Sequence, residues 1–229
     1  MVLIRRHALV TVSPSAWREV AGDHPLKEVR DWAALRRPLV CRCPAPDEEG
    51  AGVALGLPLP PLLGKLRLAF LLPVNALAPF GGSTALSALD VKPDSFWRPD
   101  VAKLLQLAAR YNIVPEATGS LLWQSVTGLE YLSATSDLDI LWRVDPVRHD
   151  TTSLLRDLAA LTGALTMRLD GEVIFPDDRG VQWRELHDSA KRGGSETVLA
   201  KSLRHGVEIT TVASLFTRDA AQSREVMAS

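Results

Sequence analysis

The chain has 229 residues, 46% of them hydrophobic and 23% charged, with a formal net charge of −1. That balance belongs to a folded globular protein, excludes a disordered one, and gives no basis for wrapping nucleic acid by counterion release. Arg5, Arg6 and His7 interrupt what would be the core of an export signal, and Pro73 and Asn75 break the most apolar run, so a cytoplasmic protein without a membrane span is expected.

In chain order, "HALVTV" predicts a strand, Pro14 opens a short helix through Trp17 and Val20, and "KEVRDWAALR" predicts a second helix. "RPLVCRC" reads as the next strand. Its Cys41 and Cys43 share one strand face and lack a second pair to complete a zinc site, so they are expected as reduced thiols. "GAGVALGLPLPP" reads as turns and prolines, and "GKLRLAFLL" alternates as a strand. The "FGGS" loop at 80–83 marks a linker. It divides a strand-rich domain at 1–85 from a second domain at 86–229.

Beyond the linker, Asp100 is expected to cap a helix whose apolar residues Val101, Leu104, Leu105 and Ala108 recur at helical spacing. An extended piece at 113–118 leads into Gly119-Ser120 and the helix "LLWQSVTG", and "DLDILWRV" alternates as a strand. Asp150 caps the next helix, with Leu154, Leu155, Leu158 and Leu161 on one stripe. "ALTMRLDGEVIF" and "VQWREL" flank the turn "PDDRG" as a hairpin, "ETVLAKSL" and "GVEI" form another, and "TVASLF" is a terminal helix. This order argues for an α/β or α+β fold with helices on one side of a mixed sheet.

Two elements carry chemistry. Asp137 and Asp139, at i and i+2 of a strand, place two carboxylates on one face about 7 Å apart, a pattern suited to a hard cation such as Mg²⁺. Gly119 lets a phosphate approach the backbone, the following helix offers free N–H groups, and Ser120 adds a hydroxyl. Together they fit a nucleotidyltransferase that holds a triphosphate for in-line attack. Asp170 is the preferred third metal ligand, with Glu172 and Glu185 as the alternatives. Arg42, Lys65, Arg67 and Lys201 are candidates for binding a polyphosphate or CoA-like anion, Lys65 and Arg67 from one strand face. Trp123, Trp142 and Trp183 are core candidates, and the histidines show no ligand spacing.

"GSLLWQSVTGLEYLSATSDLDIL" resembles the central signature of the malonate decarboxylase holo-acyl-carrier-protein synthases, also called phosphoribosyl-dephospho-CoA transferases. "RRPLVCRC", "GLPLPP" with "GKLRLAF", "DGEVIFPDDRGVQWREL" and "VLAK" are similar to that family in the same order. The resemblance implies a nucleotidyltransferase-like second domain. It also implies transfer of phosphoribosyl-dephospho-CoA from 2′-(5″-triphosphoribosyl)-3′-dephospho-CoA to a serine of the acyl-carrier subunit of malonate decarboxylase, with loss of pyrophosphate. Gly119 and Ser120 would then hold the triphosphate, and Asp137 and Asp139 would bind Mg²⁺, with Mn²⁺ as its alternative. Two other readings stay open: an adenylylating enzyme of the same fold, and a non-catalytic module binding a carrier protein or CoA.

Overall fold

The computed structural model describes residues 4–48, 50, 52–89, 95, 97–204 and 206–217. The first strand, β1 (Leu9–Val12), leads into α1 (Pro14–Ala21), which Ser13 caps by accepting a hydrogen bond from the Ala16 amide with Pro14 in the first turn. The expected second helix is short: α2 (Lys27–Arg30) is a single turn, and the chain continues as turns to Arg36, a non-glycine residue at φ 53°. Strands β2 (Leu39–Cys41), β3 (Val53–Pro58), β4 (Arg67–Leu72) and β5 (Leu77–Pro79) complete an antiparallel sheet in the order β4-β3-β2-β1-β5. Strand β3 corrects the reading of that stretch as turns. Its Ala54, Leu55 and Leu57 are buried and it pairs with β4 over its whole length, while Pro58 stands at its last position, where a missing N–H is tolerated.

The second sheet follows helix α3 (Arg98–Arg110). It contains β6 (Glu116–Ala117), β7 (Leu138–Arg143), β8 (Leu169–Ile174), β9 (Gly180–Gln182), β10 (Thr197–Ser202) and β11 (Gly206–Thr211), laid side by side in reverse chain order. Only β7 and β8 run parallel, joined through α5 (Thr151–Thr162), whose amino end Asp150 caps by accepting from the Ser153 amide. Helix α4 (Gly119–Thr127) links β6 to β7. Helix α6 (Trp183–Arg192) packs on β8, β9 and β10, and α7 (Val212–Phe216) ends the described chain. The expected mixed α+β architecture is present. Asp100, expected as a cap, lies inside α3 instead. Fully buried, its carboxylate accepts from the Thr166 and Met167 amides at 2.8 and 2.9 Å and fastens the turn that feeds β8.

Alternation sorts the two faces of this sheet. Leu138, Ile140, Trp142, Val173 and Val181 are wholly buried in the core. Asp139, Asp170, Glu172 and Gln182 therefore project from the opposite face. That face meets the first sheet. Arg6 and His7 contact Glu172, the Cys43 thiol donates to the Ser202 carbonyl, and the Tyr131 hydroxyl donates to the Pro58 carbonyl at 2.8 Å. Buried apolar residues of both parts form one continuous core. Among the described residues no helix is long and apolar enough to cross a membrane.

Candidate active site

The site begins with the register of two parallel strands. Asp139 of β7 lies directly opposite Asp170 of β8, so the two carboxylates leave the same face side by side. Asp137 does not share the strand; it is the residue just before β7, with its carboxylate turned onto the Arg168 guanidinium. Arg168 Nε donates to one Asp137 oxygen at 2.7 Å, a second guanidinium nitrogen donates to the other, and that nitrogen also stands 3.8 Å from Asp170. Arg168 thus bridges two of the three carboxylates.

Gly119 completes the floor. At φ 61° it opens α4 in a left-handed conformation, and a Cβ there would overlap a carboxylate oxygen of Asp139 and stand 2.7 Å from its Cγ. The neighbouring Thr118 amide donates to the Asp139 carbonyl at 2.9 Å, which docks the start of α4 onto β7. Only glycine allows helix and carboxylate to meet so closely. Ser120, expected to hold phosphate, follows within the helix and is half-buried.

Asp170 is oriented by its neighbours. One of its oxygens accepts from the Gly171 amide at 2.7 Å and from Gln182 Nε2 at 3.0 Å. Gln182 Oε1 meanwhile accepts from the Glu185 amide at 2.9 Å and caps α6, which settles which end of the amide faces Asp170. The crowding has a cost. Burial first, then the charges of Asp170 and Asp137, push the Asp139 carboxyl up to about 6, against the pull of Arg168 and Arg67. Asp137 is held below the ordinary carboxylate range, chiefly by hydrogen bonds from Arg168, with the charges of Arg168 and Lys65 adding to them against its desolvation.

The other expected residues divide. Lys65 and Arg67 do not share a strand face, because Lys65 sits in the turn before β4 at φ 54°. Their charges nevertheless reach the cluster, Lys65 acting on Asp137 and Arg67 on Asp139. Lys201 is elsewhere: pairing places it level with Gly180 and Ile174, roughly 13 Å along the strands from the level of Asp170. Arg42 is occupied by Glu48, its two terminal guanidinium nitrogens donating at 2.6 Å. Glu172, an alternative metal ligand, pairs with Arg6 and His7 instead. Burial would raise its carboxyl, but hydrogen bonds from His7 and Arg6 with their charges outweigh this and hold it near about 2. Glu185 is not on a strand; it lies in the first turn of α6 and accepts from the Leu199 amide at 2.8 Å. Trp123, Trp142 and Trp183 are buried as expected, and His205 lies outside the described residues. A cavity of about 430 Å³ lined by Arg5, Arg143, Phe175 and Asp178 occupies the other end of β7 and β8.

Arg168 and Gln182 belong to the site without a signal in the sequence. Neither has a motif of its own, and each becomes visible only once β7, β8 and β9 are paired.

Residues 83–213 match the family model described as the phosphoribosyl-dephospho-CoA transferase MdcG C-terminal domain, and residues 5–80 match that of its N-terminal domain. The chain belongs to the phosphoribosyl-dephospho-CoA transferase family. It is 38% identical over 205 residues to a protein of that name from Bradyrhizobium diazoefficiens, covering 86% of each chain. To those from Xanthomonas euvesicatoria and Xanthomonas axonopodis it is 34% and 33% identical over 199 residues, covering 86% of this chain and 90% of each relative. No solved structure matches. In this member of the family, among the described residues, no three His, Cys, Asp or Glu side chains converge as a ready-made metal site, and Asp137 is turned onto Arg168. The chemistry of the donor set nevertheless fits a hard cation: Asp137, Asp139 and Asp170 offer only oxygen, and Asp139 and Asp170 leave one face side by side.

Proposed function

We propose that this chain is a Mg²⁺-dependent, nucleotidyltransferase-like enzyme. It transfers phosphoribosyl-dephospho-CoA from 2′-(5″-triphosphoribosyl)-3′-dephospho-CoA to a serine of the apo acyl-carrier subunit of malonate decarboxylase, with release of pyrophosphate. The observation that carries this reading is the Asp139–Asp170 pair lying in register under the glycine that opens α4, in a chain of this family.

In this reading Asp137, Asp139 and Asp170 hold Mg²⁺, or Mn²⁺ in its place. When bound, the ion supplies neutralisation of charge at the reacting phosphorus. Gly119 and the first amides of α4, with the Ser120 hydroxyl, take phosphate oxygens of the donor. Gln182 and the Gly171 amide keep Asp170 pointed into the site. Lys65 and Arg67 bring the first sheet's positive charge to the polyphosphate. Among the described residues no histidine or cysteine stands beside the carboxylates as a nucleophile, so the attacking oxygen is the acceptor's. The serine oxygen bonds to the α-phosphorus while the bond from that phosphorus to pyrophosphate breaks. One of the aspartates, Asp137 or Asp139, or the metal when bound, helps to remove the serine proton.

Mass spectrometry of the apo carrier subunit after incubation with this chain, donor and Mg²⁺ tests the reading. The expected result is one phosphoribosyl-dephospho-CoA per carrier, one pyrophosphate released, and no labelling when the acceptor serine is replaced by alanine. A labelled enzyme formed from donor alone and passing its label onward would require a two-step reaction and sink the single displacement. Use of ATP in place of the donor would favour the adenylylating alternative.

A further inference from the structure

We infer that Arg168 is an exchangeable cation of this site. In the donor-free protein it neutralises Asp137 and Asp170, and on loading it hands Asp137 to the metal and takes up a phosphate of the donor. The inference rests on the proposed reading that the site binds a metal-bound polyphosphate.

Three features carry it. The Arg168 backbone is fixed, since its carbonyl accepts from the Leu138 amide at 2.9 Å where β7 and β8 begin to pair. Its side chain, in contrast, is 67% exposed and meets the Asp137 and Asp170 carboxylates. A pivoting cation on a rigid base results. Second, the guanidinium grips Asp137 with two parallel donors, the same fork that fits two oxygens of a phosphate. Third, Asp137 cannot join Asp139 and Asp170 around an ion while it faces the guanidinium. A metal that uses Asp137 must displace Arg168, and the displaced group remains within one side chain's swing of whatever that metal carries.

Arg168 should therefore oppose metal binding in the free protein and favour polyphosphate binding in the loaded one, a pair of effects that a structural ion pair would not produce. Binding of Mn²⁺ alone to the full chain, followed by electron paramagnetic resonance, and of inorganic tripolyphosphate with Mg²⁺, followed by calorimetry, test both. The expected result for Arg168→Ala is Mn²⁺ bound several-fold tighter and tripolyphosphate bound roughly tenfold weaker, the scale of one lost charge-assisted contact. Arg168→Lys keeps the charge without the fork; it should bind Mn²⁺ as the parent does and recover only part of the tripolyphosphate affinity. Circular dichroism and melting confirm that the variants are folded. If both constants of a folded Arg168→Ala equal the parent's, or only one of them moves, the exchange is overturned while the metal reading stands. If the parent itself binds no Mn²⁺, the metal reading fails and the exchange fails with it.

Discussion

Asp139 shows how function and stability pull apart at one residue. Its carboxyl lies near about 6 in the fold against an ordinary 3.8, because burial and two neighbouring carboxylates disfavour its charge. A raised carboxyl stabilises the fold fully below pH 3.8, and that contribution is lost as the pH rises through about 6. Above that pH, ionised Asp139 works against folding. Asp139→Asn should consequently raise the melting temperature at pH 8 by roughly 2–6 °C, with a much smaller change at pH 4. The same change should lower transfer activity at least about a hundredfold. Melting curves at the two pH values with an activity assay check both halves. An Asn variant that is less stable at pH 8, or still active, would remove Asp139 from its assigned role. Gly119 makes the complementary point, since the close approach it permits is what keeps this carboxylate half-buried.

At the scale of elements, the turn between β3 and β4 is what the first sheet contributes to the cluster. Lys65 is held at φ 54° in that turn and Arg67 starts β4, both exposed, and their charges act on Asp137 and Asp139 across the junction. Exposed charges act over a distance set by ionic strength, so their effect should be modest and salt-dependent. Replacing both by alanine is expected to raise the donor KM roughly three- to tenfold at low salt, with little change in kcat and a smaller difference at high salt. Steady-state kinetics at two ionic strengths decide the matter; equal KM values at both would make the pair ordinary surface charge.

On the scale of the whole molecule, the two sheets are joined over the same face that carries the site. Glu172, one strand position beyond Gly171, is clamped by Arg6 and His7 from the start of the chain, and Asp178 accepts from the Arg6 amide. The carboxyl of Glu172 is held near about 2 against an ordinary 4.5, the Arg6 and His7 contacts outweighing burial. A lowered carboxyl contributes stability that is present above pH 4.5 and lost as the pH falls towards about 2. Glu172→Gln should cost roughly 3 kcal/mol at pH 7, the range for breaking a buried ion pair, and clearly less at pH 3. Urea unfolding at both pH values measures it. A loss at pH 3 as large as at pH 7 would mean that the charge of Glu172 does not hold the sheets together.

Much of this molecule was legible in local patterns. Alternation marked β7 and its buried face, Asp150 announced α5, and "PDDRG" announced the turn from β8 to β9. Gly119, Asp139 and Asp170 were picked out by residue type and spacing, and the structure brings them together. The failures were also physical. The stretch forming β3 was obscured by its glycines and prolines, although pairing with β4 and burial of Leu55 and Leu57 hold it as a strand. Lys201 could be placed only by register, which puts it far along the sheet, and Glu185 lies in α6, a helix within the stretch expected as a hairpin strand. Caps, turns and alternation act between residues a few positions apart, and a sequence read alone determines those. Arg168 meets Asp137 across 31 positions and Arg6 meets Glu172 across 166. Such partners are chosen by how the strands are ordered and which face the first sheet covers, and only the tertiary structure decided them.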